Sequence, residues 1–422
     1  MFSCRLASTL SLALSIGCAP PPGPKLPQWD DATWAGIAED VQAHLGESAG
    51  ATLSIAVQRG DSLLVARVYG GSGSSSARAD TSTRFEIGEI ERQFTSVLAL
   101  TLSESGVVDL DAPLRAESVG APADALAPTI RELLRQVSGL VAADSGGGVR
   151  LAGRPNTRWT ESRVHYDHAR RVLANRTGTP YEEMLADLAR RAGLVSFDPR
   201  SADSVWSTPS DLVRWSRAID RGGVLHQKAH QQLTLMKPMR DERTWAYGLG
   251  LELQTFEDRA KFMHAGTSAR STAVLARYPA DDLSIAVMID RPDDWRLPAL
   301  ERRIARRLFG LPLRLPAEQP LEPSDIERVA GEYECGALLV DVQPQGEALQ
   351  LVVSTRERGA SPVVLARHSL RHLGTARFVS GEDPDAVHLW FRRGAGQVPE
   401  IVVGWFGLPI QAVRRANLHG SN

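Results

Sequence analysis

Lysine is nearly missing from this chain. Four occur in 422 residues, Lys25, Lys228, Lys237 and Lys261, and arginine carries nearly all of the positive charge. Few side chains are therefore available for Schiff-base chemistry or as an amine general base. Cysteine is scarcer still, with only Cys4, Cys18 and Cys335. No run approaches the roughly 18 consecutive apolar residues of a membrane-spanning helix. Neither sign of charge is in excess. The formal net charge is −2, which removes the electrostatic case for a nucleic-acid partner. No repeat of roughly 20–50 residues is present, which excludes solenoids and propellers.

What remains suits a globular protein of two or three domains, with 43% hydrophobic and 23% charged residues. The N-terminus reads as an export signal: Arg5, then a short apolar run over residues 6–17. Ser15-Ile16-Gly17-Cys18 resembles a lipobox with Cys18 as the lipid acceptor, although Ser15 stands where leucine is usual. The prolines of residues 19–24 would stiffen a tether behind it. Loss of the signal removes Cys4, and lipidation of Cys18 leaves Cys335 with no cysteine to pair with. The expected divisions are a signal peptide (1–18), a Pro-rich tether (19–30), a main domain (31–311), a linker (312–323) and a C-terminal domain (324–418). The expected location is the periplasm or outer cell envelope, with a lipid anchor at Cys18 as the membrane contact.

Residues 31–45 have helical spacing, with Trp34, Ile37, Val41 and Leu45 on one face. Strand-like runs at 51–58 and 63–69 flank Gly60-Asp61 and predict a hairpin. The Arg-Gly-Asp-Ser string there reads as turn chemistry rather than an adhesion signal. A helix is predicted after Phe85-Glu86-Ile87-Gly88, running to about Glu104. Further helical patterns cover 129–136, 168–176, 180–191, 209–221 and 226–236. Strands return at 247–253, 271–278 and 283–289, and 297–309 closes as a helix. Strands bracketing a helical insert predict an α/β domain whose sheet is built from both ends of the segment. Beyond the Pro-rich 311–323, short alternating runs at 338–342, 349–354, 363–367, 387–391 and 401–404 predict a small all-β module.

Two tempting motifs fail. Gly46-Glu47-Ser48-Ala49-Gly50 has the spacing of a nucleophile elbow, which needs a strand before the serine and a helix after it. Here that order is reversed. His165-Tyr166-Asp167-His168 gathers two imidazoles and a carboxylate, but no third clustered ligand set and no H-E-x-x-H accompany it. No metal or other cofactor is expected.

Six stretches carry more weight because of their order. Phe85-Glu86-Ile87-Gly88 precedes Gln93-Phe94-Thr95. Residues 106–114 read GVVDLDAPL and 130–140 read IRELLRQVSGL. Thr208-Pro209-Ser210-Asp211-Leu212, Tyr247-Gly248-Leu249-Gly250 and His264-Ala265-Gly266 follow. In this order they resemble the serine β-lactamase-related family: class C β-lactamases, D,D-peptidases and their esterase and peptidase relatives. The resemblance covers about residues 34–311. It implies an antiparallel sheet flanked by helices, with a helical lobe. Val329-Ala330-Gly331-Glu332-Tyr333 is similar to the opening of a small barrel-like β domain often appended to such proteins.

The departures bear on function. In the family, the serine of S-x-x-K attacks a carbonyl and the lysine takes its proton. The tyrosine of Y-x-N and the H/K-x-G strand complete the proton network. No S-x-x-K occurs anywhere in this chain. Glu89 aligns on the serine and Arg92 on the lysine. Arginine, with a pKa above about 12, cannot act as a general base near neutral pH. Attack by Glu89 would give a mixed anhydride, and its charge would repel the carboxylate typical of β-lactams and D-Ala peptides. Tyr166-Asp167-His168 is placed on Y-x-N, with His168 on the asparagine, although the segment from there to Thr177-Gly178 is several residues short. His264 and Gly266 keep H/K-x-G. Thr267-Ser268 replaces the usual glycine pair, and Arg270 stands where small residues line the cleft. Glu89 and Arg92 also have a plain structural reading: three apart on a helix they can pair, and Glu89 and Glu91 suit its N-terminus. Two readings stay open. One is a catalytically inactive homologue that binds or scaffolds a small-molecule, peptide or protein ligand in the envelope. The other is a divergent hydrolase with Glu89 as general base for water, assisted by His264 or Tyr166.

Overall fold

The structure is a computed structural model. It describes residues 29–46, 50–70, 79–115, 127–142, 149–201, 204–240, 246–257, 259–294, 296–313, 317–335, 338–346, 348–355, 363–374, 377–381, 387–393, 399–405 and 408–414. The expected signal, Cys18 and most of the tether lie outside these residues.

Helix α1 (Asp31–Gly46) buries Ile37, Val41 and Leu45, the face that its spacing implied. Strands β1 (Thr52–Arg59) and β2 (Ser62–Gly70) form the expected hairpin, with Gly60 at φ +55° in its turn. β3 (Phe85–Glu86) leads through a 3-10 turn at Gly88–Ile90 into α2 (Glu91–Glu104). Every residue from Glu91 to Leu100 is buried, so α2 is a central helix rather than an amphipathic surface one. Thr129 caps α3 (Ile130–Leu134) in a reciprocal capping box with Glu132. β4 (Leu140–Ala142) and β5 (Val149–Leu151) form a small hairpin. Ser162 caps α4 (Arg163–Thr177), which starts before the expected position 168, and α5 (Tyr181–Arg191) follows. β6 (Asp198–Ser201) and β7 (Ser204–Ser207) lead to α6 (Pro209–Asp220). Thr208 accepts the Asp211 N–H there, which explains the Thr-Pro-Ser-Asp pattern as a helix start. α7 (Gln227–Leu233), β8 (Glu252–Phe256), β9 (Arg259–Thr267), β10 (Thr272–Tyr278), β11 (Leu283–Ile289) and α8 (Leu297–Leu308) complete this part. The strand expected over 247–253 is mostly a glycine turn, closed by Gly248 N–H on Leu251 O at 2.8 Å.

The central sheet has the order β2-β1-β11-β10-β9-β8 and is antiparallel throughout. Leu53 of β1 lies opposite Ile289 of β11, so both ends of the segment build it. One face packs under α1 and α8 through Ile37, Val41, Val287, Leu300 and Ile304. Asp40 clamps those two helices together, with Oδ1 2.6 Å from Arg303 Nη2. The other face packs on the helical lobe, where Trp215 of α6 stacks on Phe94 of α2 with centroids 3.8 Å apart. Such a pair adds about 1 kcal/mol beyond its area. Alternation along β9 sends Met263 toward α1 and α8. His264 and Gly266 therefore face the lobe.

Residues beyond 317 hold a short helix, α9 (Pro323–Val329), and a closed antiparallel barrel. Its strands are β12 (Gly331–Cys335), β13 (Leu338–Gln345), β14 (Ala348–Thr355), β15 (Val363–His372), β16 (Arg377–Ser380), β17 (Val387–Arg393), β18 (Pro399–Trp405) and β19 (Leu408–Arg414). Pattern alone suggested five of these; β12, β16 and β19 are additional. β12 pairs with β19 through Tyr333 and Arg414, which closes the ring. Tyr333 fills the interior and donates its hydroxyl to Val329 O at 2.7 Å.

Candidate active site

The turn before α2 and strand β9 meet backbone to backbone. A Cβ on Gly266 would lie 2.2 Å from Ile87 O, and one on Gly88 would lie 2.5 Å from the Thr267 nitrogen. Gly88 is also at φ +52°. No side chain fits at either place. These two glycines therefore set how close Glu89 comes to the strand. At that distance Glu89 Oε2 accepts the Thr267 N–H at 2.8 Å. A third glycine, Gly250, brings the Tyr247-Gly248-Leu249-Gly250 turn against α2, where a Cβ would lie 2.5 Å from Arg92 O.

Arg92 is the second residue of α2 and is buried. Its Nη1 lies 2.6 Å from Glu161 Oε1, and its guanidinium carbon lies 5.3 Å from the centre of the Tyr166 ring. Burial opposes its charge, but Glu161, Tyr247 and Glu89 around it more than offset that and raise its pKa. Glu161 precedes the cap of α4 and is exposed on its outer side. Burial of its inner side pushes the carboxyl up, but Arg92 and Gln136 outweigh this and hold it below the usual carboxylate range. Gln136 donates from Nε2 to Glu161 Oε2 at 2.9 Å and accepts the Ser162 N–H at 2.8 Å. It does so fully buried and at φ +59°. A non-glycine residue held in that region costs about 1 kcal/mol or more, so its surroundings enforce it.

Glu89 and Arg92 thus do not pair with each other, contrary to the helical i,i+3 expectation. Glu89 sits in the 3-10 turn ahead of α2, so the α-helical relation between the two is absent. Glu91 turns inward instead. Its carboxylate accepts from Thr95 Oγ1 at 2.6 Å and from Tyr181, and it lies 3.6 Å from Arg170 Nη1. Burial raises its pKa against the pull of Arg170 and Thr95.

Glu89, Arg92 and Tyr166 line one cleft of about 300 Å³, together with Glu86, Arg163, Arg170, Val205 and residues 267–269. The Tyr166 hydroxyl is committed to Leu134 O at 2.6 Å, and burial pushes its pKa up to about 12. His264 and Gly266 of β9 are not among the residues that line the cleft: Gly266 lies against the backbone of Ile87 and Glu89, and His264 is buried. His264 Nδ1 lies 2.5 Å from Ala265 O, which can only accept, so Nδ1 carries the proton and Nε2 accepts from the Tyr247 hydroxyl at 3.3 Å. Burial, helped by Arg92, pushes His264 down to about 4, so the ring is neutral at pH 7. His168 is not brought to the cleft. It is buried in α4, and neither ring nitrogen has a hydrogen-bond partner among the described residues. Arg270, expected to crowd the cleft, lies 5.8 Å over the Trp206 ring.

Sequence reasoning missed Glu161 and Gln136. The available signal was the short segment before Thr177-Gly178.

Comparison with known proteins agrees with this architecture. Residues 37–308 match the Beta-lactamase family. No curated protein matches in sequence. Among solved structures, SurE with D-Leu superposes with a TM-score of 0.57 at 20% identity, over 92% of this chain and 100% of that one. The octameric penicillin-binding protein homologue from Pyrococcus abyssi gives 0.56 at 14% identity, over 90% and 100%. The D-amino acid amidase from Ochrobactrum anthropi SV3, complexed with L-phenylalanine amide, gives 0.55 at 17% identity, over 66% and 99%. At these identities the likeness to the solved structures is one of fold. The family match, over well more than half of its length, decides the assignment: this chain belongs to the β-lactamase family.

Proposed function

We propose that this chain is a non-acylating member of the β-lactamase family, whose cleft binds a ligand or partner in the cell envelope without forming an acyl-enzyme. One observation carries the reading. Arg92, in the place of the activating lysine, is ion-paired with Glu161, while Glu89, in the place of the nucleophile, accepts the Thr267 N–H. Acyl transfer needs a nucleophile beside a group that takes its proton. A guanidinium cannot take one. Glu89 as a carboxylate has none to give. In this reading Glu161-Ser162-Arg163 stands in the Y-x-N place, and three catalytic positions have changed as a set, with Glu161 as the counter-ion that Arg92 requires. An apolar signal, Cys18 and the proline tether support presentation from a membrane surface.

The test uses the soluble protein lacking residues 1–24. It is assayed against acyl esters, D-Ala peptides and a chromogenic cephalosporin, and exposed to a fluorescent penicillin. We expect neither turnover nor covalent labelling. Labelling would overturn the reading outright. Turnover lost in Glu89→Gln would establish the alternative, in which Glu89 acts as a general base. One feature favours that alternative: Thr267 anchors the Glu89 carboxylate at the wall of the cleft.

A further inference from the structure

The arginines lining the cleft are each matched by a carboxylate. Arg92 faces Glu161 at 2.6 Å, Arg163 Nε lies 3.3 Å from Asp167, and Arg170 pairs with Asp167 and Glu91. The carboxylates Glu89 and Glu86 of the lining, and Asp293 beside Thr267, are not matched in return. Glu89 accepts from the Thr267 N–H at 2.8 Å, Glu86 from Ser204 Oγ at 3.0 Å, and Asp293 from Thr267 Oγ1 at 3.0 Å. All three of these donors are neutral. Arg92 feels Glu89 through space, but its contact is with Glu161. The three lining arginines are therefore neutralised by carboxylates, while the lining carboxylates Glu86 and Glu89 hold only neutral donors.

We infer that the cleft selects a ligand bearing a cationic group, a primary ammonium or a guanidinium, and rejects carboxylates, with Glu89 and Glu86 receiving the charge. This rests on the reading of the cleft as a binding site. The physical basis is local. An incoming carboxylate near Glu89 meets like charge, and the cleft-lining arginines Arg92, Arg163 and Arg170 can pair with it only by giving up an existing ion pair; Arg270, one residue past the lining, lies over the Trp206 ring. An ammonium meets two carboxylates whose present bonds are to neutral donors, so it displaces no cation. Val205 and Ala269 offer apolar wall beside these groups, and about 300 Å³ holds a small ring with its head group.

Three probes of one shape separate the charges: benzylamine, benzyl alcohol and benzoate. Their affinities for the soluble chain are measured at pH 7 and low salt by calorimetry and ligand-observed NMR. Benzylamine should bind at least about tenfold more tightly than benzoate, with benzyl alcohol between them, the order expected for a partly buried charge contact. Raising the salt should weaken benzylamine and leave benzyl alcohol unchanged. In Glu89→Gln and Glu86→Gln the advantage of the amine should fall by about tenfold. Benzyl alcohol affinity and the melting temperature show whether those variants stay folded. Three results would overturn the inference: benzoate binding as tightly as benzylamine, an amine preference that survives the double variant, or no amine binding at tens of millimolar. None of these touches the non-acylating reading, which fails only on labelling or turnover.

Discussion

Arg92 Nη1 and Glu161 Oε1, 2.6 Å apart, join the start of the central helix α2 to the segment that leads into α4. The cation is buried and the anion keeps one side in water. Glu161→Gln should therefore lower unfolding free energy by about 1–2 kcal/mol, less than for a fully buried pair but more than for a surface one. Adding Arg92→Met should return most of that loss, because an apolar side chain needs no counter-ion. Urea unfolding of the four proteins of the cycle measures the coupling; additive losses would mean that the two residues act independently.

The same pair sets the conditions for restoring acylation. Glu89→Ser with Arg92→Lys replaces nucleophile and base but leaves Glu161 beside the new amine. A neighbouring carboxylate holds an amine protonated, so the double variant should capture little penicillin. Adding Glu161→Tyr should raise capture by about tenfold or more, the lower end of what a positioned base contributes. Mass spectrometry locates the adduct. Capture at a serine other than the introduced one would refute the placement of Glu89.

Acid should act through buried histidines. Burial pushes His264 and His165 down to about 4 from 6.5. Between those values the unfolded chain binds more protons, so each neutral imidazole supplies stability that is present above pH 6.5 and lost as pH falls toward 4. Glu91 and Glu252 act in the opposite direction. Burial raises both, so they cost stability as pH rises past the ordinary carboxylate range. The clean readout is a difference. The stability advantage of wild type over His264→Gln should shrink by about 2 kcal/mol between pH 7 and pH 4.5. A constant gap would mean that His264 does not titrate there.

The hairpin, the closing helix α8 and the all-β character of the C-terminal residues were legible because each rests on local periodicity or turn chemistry, whereas the barrel was implied only by the resemblance. The site was legible only where backbone geometry fixes the residue type. Gly88, Gly250 and Gly266 sit where a Cβ would strike backbone, so their motifs survive in the sequence. Glu161 was not legible, because it lies ahead of the Ser162 cap, outside any periodic run, and its partner Arg92 is distant in sequence. Tyr166, in the first turn of α4, gives its hydroxyl to Leu134 O, a partner that no local periodicity reveals. Gln136 gave no signal either, since its left-handed backbone is imposed by contacts distant in sequence.

Anchoring is tested at Cys18. In a host that processes lipoproteins, Cys18→Ser should move the protein from the membrane fraction to the soluble fraction, or leave its signal uncleaved. Two acyl chains or more give stable attachment where one is marginal, so the shift should be nearly complete. A soluble wild-type protein with unchanged processing would make residues 15–17 an ordinary cleavage site.

The pairing of β1 with β11 also governs when the molecule can fold. Leu53 waits for Ile289, which lies near the far end of the β-lactamase segment. Contacts so distant in sequence must overcome a large loop-closure entropy before they are rewarded, so the central sheet forms slowly. The barrel differs: β12 to β19 pair with their chain neighbours, and only the closing seam is long-range. Its hairpins can therefore assemble while the larger sheet is still open. Until β11 arrives, β1 presents an unfilled edge, and an exposed edge recruits strands from other chains. A chain cut short before Leu283 keeps that edge permanently and should accumulate as aggregate, whatever the state of its cleft.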